Sequence, residues 1–298
     1  MAIKRTKAQQ AFNMFNCLFL ALLSFICLYP MLYSLFASFS NPREFAKATG
    51  AIWGPQGFSV NGYLLVFQNP NIGIGYKNTL IYVFCQTALA MLLSTLGAYG
   101  FSRKNMMLQR PLFLIVLFTM YFSGGLIPTY LNIKNLGMLN TRWAIIVPNA
   151  ISVYNMIVLR TGFASIPDSL EESAKIDGAN DFVILVRIIL PLALPSFMVV
   201  MMYYAVAEWN NWFSAMVYLR STELLPLQTF LREILVTGDM QSMADTSSMG
   251  DGEASLIYES YSIVKYCTII VATVPILALY PFIQRFFIKG VMIGAVKG

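Results

Sequence analysis

Apolar positions in this chain come in long blocks, and nearly all charge falls in the short segments between them. Six blocks are long enough for a helix to cross a bilayer, which takes about 20 predominantly apolar residues. They cover residues 12–39, 77–101, 111–131, 143–162, 191–219 and 262–288. Each is too long for a buried strand. The pattern predicts an all-α membrane protein with six transmembrane helices. Gly124, Gly125 and Pro128 are expected to interrupt the third helix near its outer end, a packing feature rather than a chemical one.

Composition agrees. The 298 residues include 20 basic and 14 acidic side chains, 11% in all, against roughly 25% in an ordinary soluble domain. Hydrophobic residues make up 57%. Thirty-four charges cannot cover a soluble fold with that much apolar surface, so a soluble enzyme and a disordered chain are both excluded. The first block follows Lys4, Arg5 and Lys7 and resembles a signal peptide in that respect. It is longer than a signal core of about 7–15 residues and lacks a small-residue cleavage site, so it is read as a retained helix.

Charge sets the orientation. With a cytoplasmic N-terminus (1–11), the inner segments hold Lys4, Arg5, Lys7, Arg103, Lys104, Arg110, Arg160, Lys175, Arg187, Arg285, Lys289 and Lys297. That is twelve basic residues inside against eight outside, where eight acids balance them. Inside, Asp168, Glu171, Glu172, Asp177 and Asp181 leave a net +7. The positive-inside rule then gives an N-in, C-in protein with a cytoplasmic tail at 289–298. The excess is spread along one face in small groups, which removes a nucleic-acid reading of the net +6.

Absences narrow the chemistry. There is no histidine, which excludes His-based acid–base catalysis, HExxH zinc sites and Ser-His-Asp triads. Cys17, Cys27, Cys85 and Cys267 lack metal spacing and are expected to be small buried hydrophobes. No phosphate-binding loop of the GxxxxGK[ST] type occurs.

The segment at 166–191, on the cytoplasmic side, has no role that lipid contact explains. Asp168 with Glu171 three residues on resembles a capping box, and both acids favour a helix start. Leu170 and Ala174 share a face at i, i+4. Gly178 supplies a left-handed exit, and Asn180 or Asp181 caps the next helix. Glu172-Ser173-Ala174, three residues, Gly178, nine residues, then Ile188-x-Leu190-Pro191 resembles the EAA motif of ATP-binding-cassette (ABC) importer permeases, with Ser173 in place of the usual Ala. Position before the penultimate block agrees. The surrounding residues resemble the MalG-like carbohydrate-uptake branch. Residues 122–129, 136–143 and 289–294 resemble its polysaccharide or complex-oligosaccharide subgroup, the LplC and YtcP types.

The resemblance implies a type I ABC importer permease fold and a transport subunit that is not itself an enzyme. It implies that the EAA helix docks in a cleft of a separate ATP-binding subunit. Glu171, Glu172, Ser173, Ala174, Asp177, Gly178, Ile188, Leu190 and Pro191 are then the coupling residues. Glu172 would make polar contacts, Ser173 and Ala174 would allow close packing, and Gly178 would set the turn. The implied partners are a second homologous permease, two ATP-binding subunits and an extracytoplasmic solute-binding protein. ATP and Mg would reside in the ATP-binding subunits, with no cofactor on this chain.

Glu208 is the one acid inside a block, and an intramembrane acid is a functional candidate. With Trp209, Asn210, Asn211 and Trp212 it offers the aromatic faces and amide groups that hold sugars, with Glu208 and Trp212 on one face at i, i+4. Asn155, with Asn149 and Tyr154, is a further candidate. The competing reading makes the tryptophans interfacial belt residues, Glu208 solvated, and the asparagines helix–helix glue. Residues 238–260, with five acids and no Lys or Arg, form a solvated outer loop or a docking surface; calcium-loop spacing is absent. The alternative function is a self-sufficient secondary transporter or channel, which a single intramembrane ionisable residue disfavours.

Overall fold

A computed structural model describes residues 6–103, 106–245, 263–278 and 281. Among the described residues the regular structure is helical, apart from one antiparallel bridge between Ser40 and Phe58. The chain divides into two compact units. One comprises Met1–Asn69 with Glu233–Thr273; the other comprises Pro70–Arg232 with Val274–Gly298.

The first unit begins with α1 (Lys7–Ser38), whose start is closed by reciprocal bonds between Thr6 and Gln9, a capping box. Phe12, Phe15, Leu18, Leu22 and Ile26 are all exposed on it, and its most apolar stretch buries nothing within the chain. Its C-terminal end is fixed instead. The Ser38 and Tyr63 hydroxyls lie 2.7 Å apart, and the Cys267 thiol donates to the Ser38 carbonyl at 3.3 Å. Two short helices follow, α2 (Pro42–Lys47) and α3 (Asn61–Gln68).

The second unit is built around α4 (Pro70–Ser102), which packs most extensively against α8 (Val153–Ala164) and α11 (Leu194–Trp209). Its polarity is inverted relative to a helix in water. Asn78, Thr79, Tyr82, Gln86, Ser94 and Thr95 are buried, while Leu80, Phe84, Leu92 and Leu96 are exposed. That distribution suits lipid as the outer solvent.

Most of the buried polar stripe has partners because the neighbouring backbone is irregular; the Thr95 hydroxyl and the Gln86 side-chain oxygen are the members left without one. The block at 143–162 is broken into α7 (Trp143–Ile146) and α8, separated by six residues that include Pro148. Gln86 donates its side-chain amide to the Asn149 carbonyl at 2.8 Å. Tyr204 on α11 accepts from the Ser152 amide at 2.8 Å, and its hydroxyl lies 2.6 Å from that of Ser94. Further along, Asn78 donates to the Glu223 and Leu225 carbonyls, Tyr82 donates to Leu224, and Thr79 accepts from the Leu227 amide. Non-helical backbone at membrane depth is tolerated where protein groups satisfy it in this way.

The other blocks also depart from straight helices. The third is a pair, α5 (Gln109–Tyr121) and α6 (Leu126–Asn135), bent by 110° across a break where Gly125 takes a φ of +86°. The fifth joins α10 (Asp181–Leu192), with a π-turn at Leu185–Ile189, to α11 across an 88° bend at Ala193. Pro191 and Pro195 flank that bend and remove backbone donors there. Then come α12 (Phe213–Tyr218) and α13 (Leu227–Asp245). Of the sixth block, α14 (Ile263–Ala278) is described. Among the described residues two helices, α1 and α4, are long and apolar enough to cross a membrane, or four spans if each bent pair is one.

The cysteines correct one expectation. Cys267 is buried, but Cys17, Cys27 and Cys85 are exposed on apolar helices. A small apolar thiol is as well placed on a lipid-type surface as in a core, so its burial does not follow from its neighbours' hydropathy. The acidic segment beyond residue 245 and the tail at 289–298 lie outside the described residues.

Candidate functional site

The EAA segment folds as α9 (Asp168–Ile176) followed by a tight exit. Pro167 occupies the position before the helix and Asp168 is its first helical residue, so no side chain closes the start. The capping box expected from Asp168 and Glu171 therefore does not form; both acids sit in the first turn, where the positive helix end favours them. At the other end Gly178 has a φ of +83°. Its amide donates to Lys175 and the Ala179 amide to Ala174, the paired bonds of a Schellman ending. The Asn180 side chain then accepts from the Val183 amide and starts α10.

This geometry sorts the motif residues into two faces. Glu171 and Ala174 are buried, at i, i+3. Leu170, expected to pair with Ala174, is instead 43% exposed, because α9 turns the Glu171 side toward the bundle. Glu172, Ser173, Asp177 and Gly178 are exposed, together with Ile176 at 86% and Phe182 at 67%. Ile188 and Leu190 pack against the bundle core, whereas Pro191 is exposed.

Glu171 is held from two sides. Arg103 donates to one carboxylate oxygen at 2.8 Å and Lys175 to the other at 2.8 Å. The Lys175 ammonium titrates above its ordinary value because of that hydrogen bond, so it stays charged throughout the physiological range.

The second cluster lies at the end of α11. Glu208 and Trp209 are buried, and the helix stops at Trp209. Asn211 donates from its amide to the Glu208 carboxylate at 3.1 Å. Asn210 bonds back to the Val206 carbonyl. Trp209 packs edge-on to Tyr76, with ring centres 6.3 Å apart. Trp212, half-buried, carries the Arg232 guanidinium 4.3 Å from its ring centre. The shared face expected for Glu208 and Trp212 is absent, since residues 210–212 form a turn and helical spacing no longer applies there. Asn155 is on another helix, buried in the first turn of α8 beside the backbone break, where its backbone amide donates to the Ser152 hydroxyl.

Residues 5–293 match the family described as "Binding-protein-dependent transport system inner membrane component". The chain belongs to this family. It is 42% identical over 291 residues to the polygalacturonan/rhamnogalacturonan transport system permease protein YtcP of Bacillus subtilis, covering 96% of this chain and 98% of that protein. It is 37% identical over 293 residues to protein LplC of the same organism, covering 98% and 97%. Among solved structures, a bacterial ABC transporter involved in the import of the acidic polysaccharide alginate has a chain that superposes with a TM-score of 0.83 at 28% identity. That match covers 96% of this chain and all of the other. Among the described residues the helical architecture is consistent with the type I ABC importer permease fold, and the chain is an inner membrane component.

Two features of the permease escaped the sequence. Arg103 reads there as one inward positive charge among twelve; its role emerges when α4 ends beside α9. The Ser94–Tyr204–Ser152 node is polar in a stretch whose average hydropathy conceals it, and Pro148 is the one local signal of the break it serves.

Proposed function

We propose that this permease is one of two homologous membrane subunits of an ATP-driven importer of oligosaccharides released from a complex, acidic polysaccharide. The names of its relatives support the substrate class: a polygalacturonan/rhamnogalacturonan permease and an alginate importer. In this reading the chain crosses the membrane six times, N-in and C-in, along residues 12–39, 77–101, 111–131, 143–162, 191–219 and 262–288. Two ATP-binding subunits hold ATP and Mg, and an extracytoplasmic binding protein delivers the sugar.

The observation that carries the reading is the presentation of α9. A nine-residue helix is pinned by Glu171 and Ala174 and shows Glu172, Ser173, Ile176 and Asp177 to a partner, with Gly178 fixing its exit. A short rigid helix of this kind moves as a body, and two packings of the bundle give alternating access. Glu208, Trp209, Asn210, Asn211 and Trp212, with Asn155, line the sugar path in this reading. Aromatic faces with amide and carboxylate partners suit a polyhydroxylated ligand.

The test is uptake of labelled oligogalacturonides by proteoliposomes containing the whole transporter. Glu172→Lys and Gly178→Pro are expected to abolish ATP-dependent uptake while the two permeases still assemble. Normal uptake in either variant removes the coupling role. Uptake by this chain alone, driven by an ion gradient, overturns the ATP-driven reading in favour of a secondary transporter.

A further inference from the structure

Arg103 stands one residue past the end of α4 and reaches three helix ends with a single guanidinium. Its Nη1 donates to the Glu171 carboxylate at 2.8 Å, in the first turn of α9. Its Nη2 donates to the Phe163 carbonyl at 3.0 Å, in the last turn of α8. Its Nε donates to the Ser102 hydroxyl at 3.0 Å, on α4 itself. The Tyr99 ring lies 5.4 Å away on α4. The ion pair is nearly closed to water, with side-chain exposures of 11% for Arg103 and 10% for Glu171.

Each contact is favourable for a stated reason. The Phe163 carbonyl is one of the last-turn acceptors at the negative end of α8, where a cation is stabilised. Glu171 occupies the positive start of α9. The fork of a guanidinium meets separate acceptors at fixed angles, which an ammonium cannot do. Arg160 adds a second tie close by. It donates to the Phe101 carbonyl of α4 at 2.7 Å and stacks 4.5 Å from the Phe113 ring of α5.

We infer that Arg103 and Glu171 form a positioning clasp that makes α9 and the cytoplasmic ends of α4 and α8 one moving body. The inference rests on the coupling role proposed above for α9 and assigns its route. Covalently, α9 joins only α8 and α10, through Pro167 and through the Gly178 exit. The clasp adds a direct link to α4, the helix that carries the buried polar stripe of the second unit. Displacement of α9 by an ATP-binding subunit then pulls α4 with it. Without the clasp, α9 is tied to the bundle by Ala174 and by its covalent ends alone, and much of the ATP-driven motion is lost before it reaches α4. Glu171 is in this scheme an internal anchor, and the docking contact falls to its neighbour Glu172.

The test uses the whole transporter in proteoliposomes, reading co-purification of the ATP-binding subunits, ATP hydrolysis and oligogalacturonide uptake. Arg103→Ala is expected to keep the subunits bound and hydrolysing, with uptake per ATP lowered about tenfold, the size of a typical coupling between sites. Arg103→Lys is expected to fall between it and the wild type. Glu171→Gln, which preserves shape, is expected to lose uptake per ATP in the same direction. The exchange Arg103→Glu with Glu171→Arg is expected to recover part of it, a rescue that simple loss of folding would not allow. Wild-type uptake per ATP in Arg103→Ala or Glu171→Gln, while Glu172→Lys abolishes uptake, overturns the clasp alone. Should Arg103→Ala not assemble, Glu171→Gln and the exchange decide the matter. Wild-type uptake in Glu172→Lys overturns the coupling role beneath it.

Discussion

The Tyr204 hydroxyl on α11 accepts a hydrogen bond from the Ser152 backbone amide at 2.8 Å, closing the gap where the chain leaves helical geometry between α7 and α8. The same oxygen lies 2.6 Å from the Ser94 hydroxyl on α4. Tyr204→Phe leaves a part-buried amide at Ser152 and a buried hydroxyl at Ser94 without this partner. The expected loss is about 1–2 kcal/mol, at the lower end for bonds within a membrane bundle. Thermal unfolding of the purified transporter in detergent checks it; an unchanged midpoint would show that the break is held by other bonds.

Gly178 isolates a backbone effect from a packing one. A Cβ placed there meets nothing within 4 Å, so only its positive φ resists substitution. Gly178→Ala is expected to cost about 1–2 kcal/mol in the turn after α9. Gly178→Asn should cost less, since Asn tolerates the left-handed region. The order wild type, Asn, Ala in ATP-dependent uptake is the readout. Equal uptake by all three would mean that the Schellman exit does not matter to transport.

Close approach of α8 and α11 depends on Gly162. A Cβ at that position would lie 2.5 Å from the Ser196 hydroxyl oxygen and 2.6 Å from its Cβ. Gly162→Val is expected to destabilise the bundle by about 1–3 kcal/mol through overpacking. Gly162→Ala combined with Ser196→Gly should restore most of the stability, because it removes the Ser196 Cβ and Oγ that a side chain at 162 would meet. Failure of that pair to recover the unfolding midpoint would contradict the contact.

For the sugar path, Glu208→Ala combined with Trp212→Ala is expected to weaken apparent sugar affinity about tenfold, the scale of one or two lost hydrogen bonds. Assembly with the ATP-binding subunits should be unchanged. Wild-type affinity and rate in the double variant would make this cluster structural. Arg232→Ala, which removes the cation over the Trp212 ring, separates the aromatic contribution from the carboxylate.

What the sequence revealed followed the range of its signals. Long apolar blocks and the Glu172-to-Pro191 spacing are linear features, so membrane class and family were legible from them. The breaks were less so. Hydropathy averaged over residues 143–162 cannot register that six of them leave the helix because Gln86 and Tyr204 wait nearby to satisfy their backbone. Adjacent acids posed the same difficulty. Glu171 and Glu172 stand about 100° apart around a helix, so only one can turn inward. Which one does is decided by Arg103, 68 residues earlier in the chain. Helical spacing does not reach Trp212, because the helix ends at Trp209. Asn210 and Asn211 mark that end, since asparagine favours turns over helix interiors.

The uninterrupted course of α4 has a consequence for how this gene tolerates changes in length. Asn78, Gln86, Ser94 and the clasp at Arg103 all meet partners fixed on other segments. Loss of one codon inside α4 would turn everything beyond it by about 100° and draw it back about 1.5 Å, unpairing every later member together. The π-turn at Leu185–Ile189 is the opposite case, because it already holds one residue more than an α-helical frame needs. Single-residue insertions and deletions should therefore be purged from α4 and survive, if anywhere in these helices, at that turn.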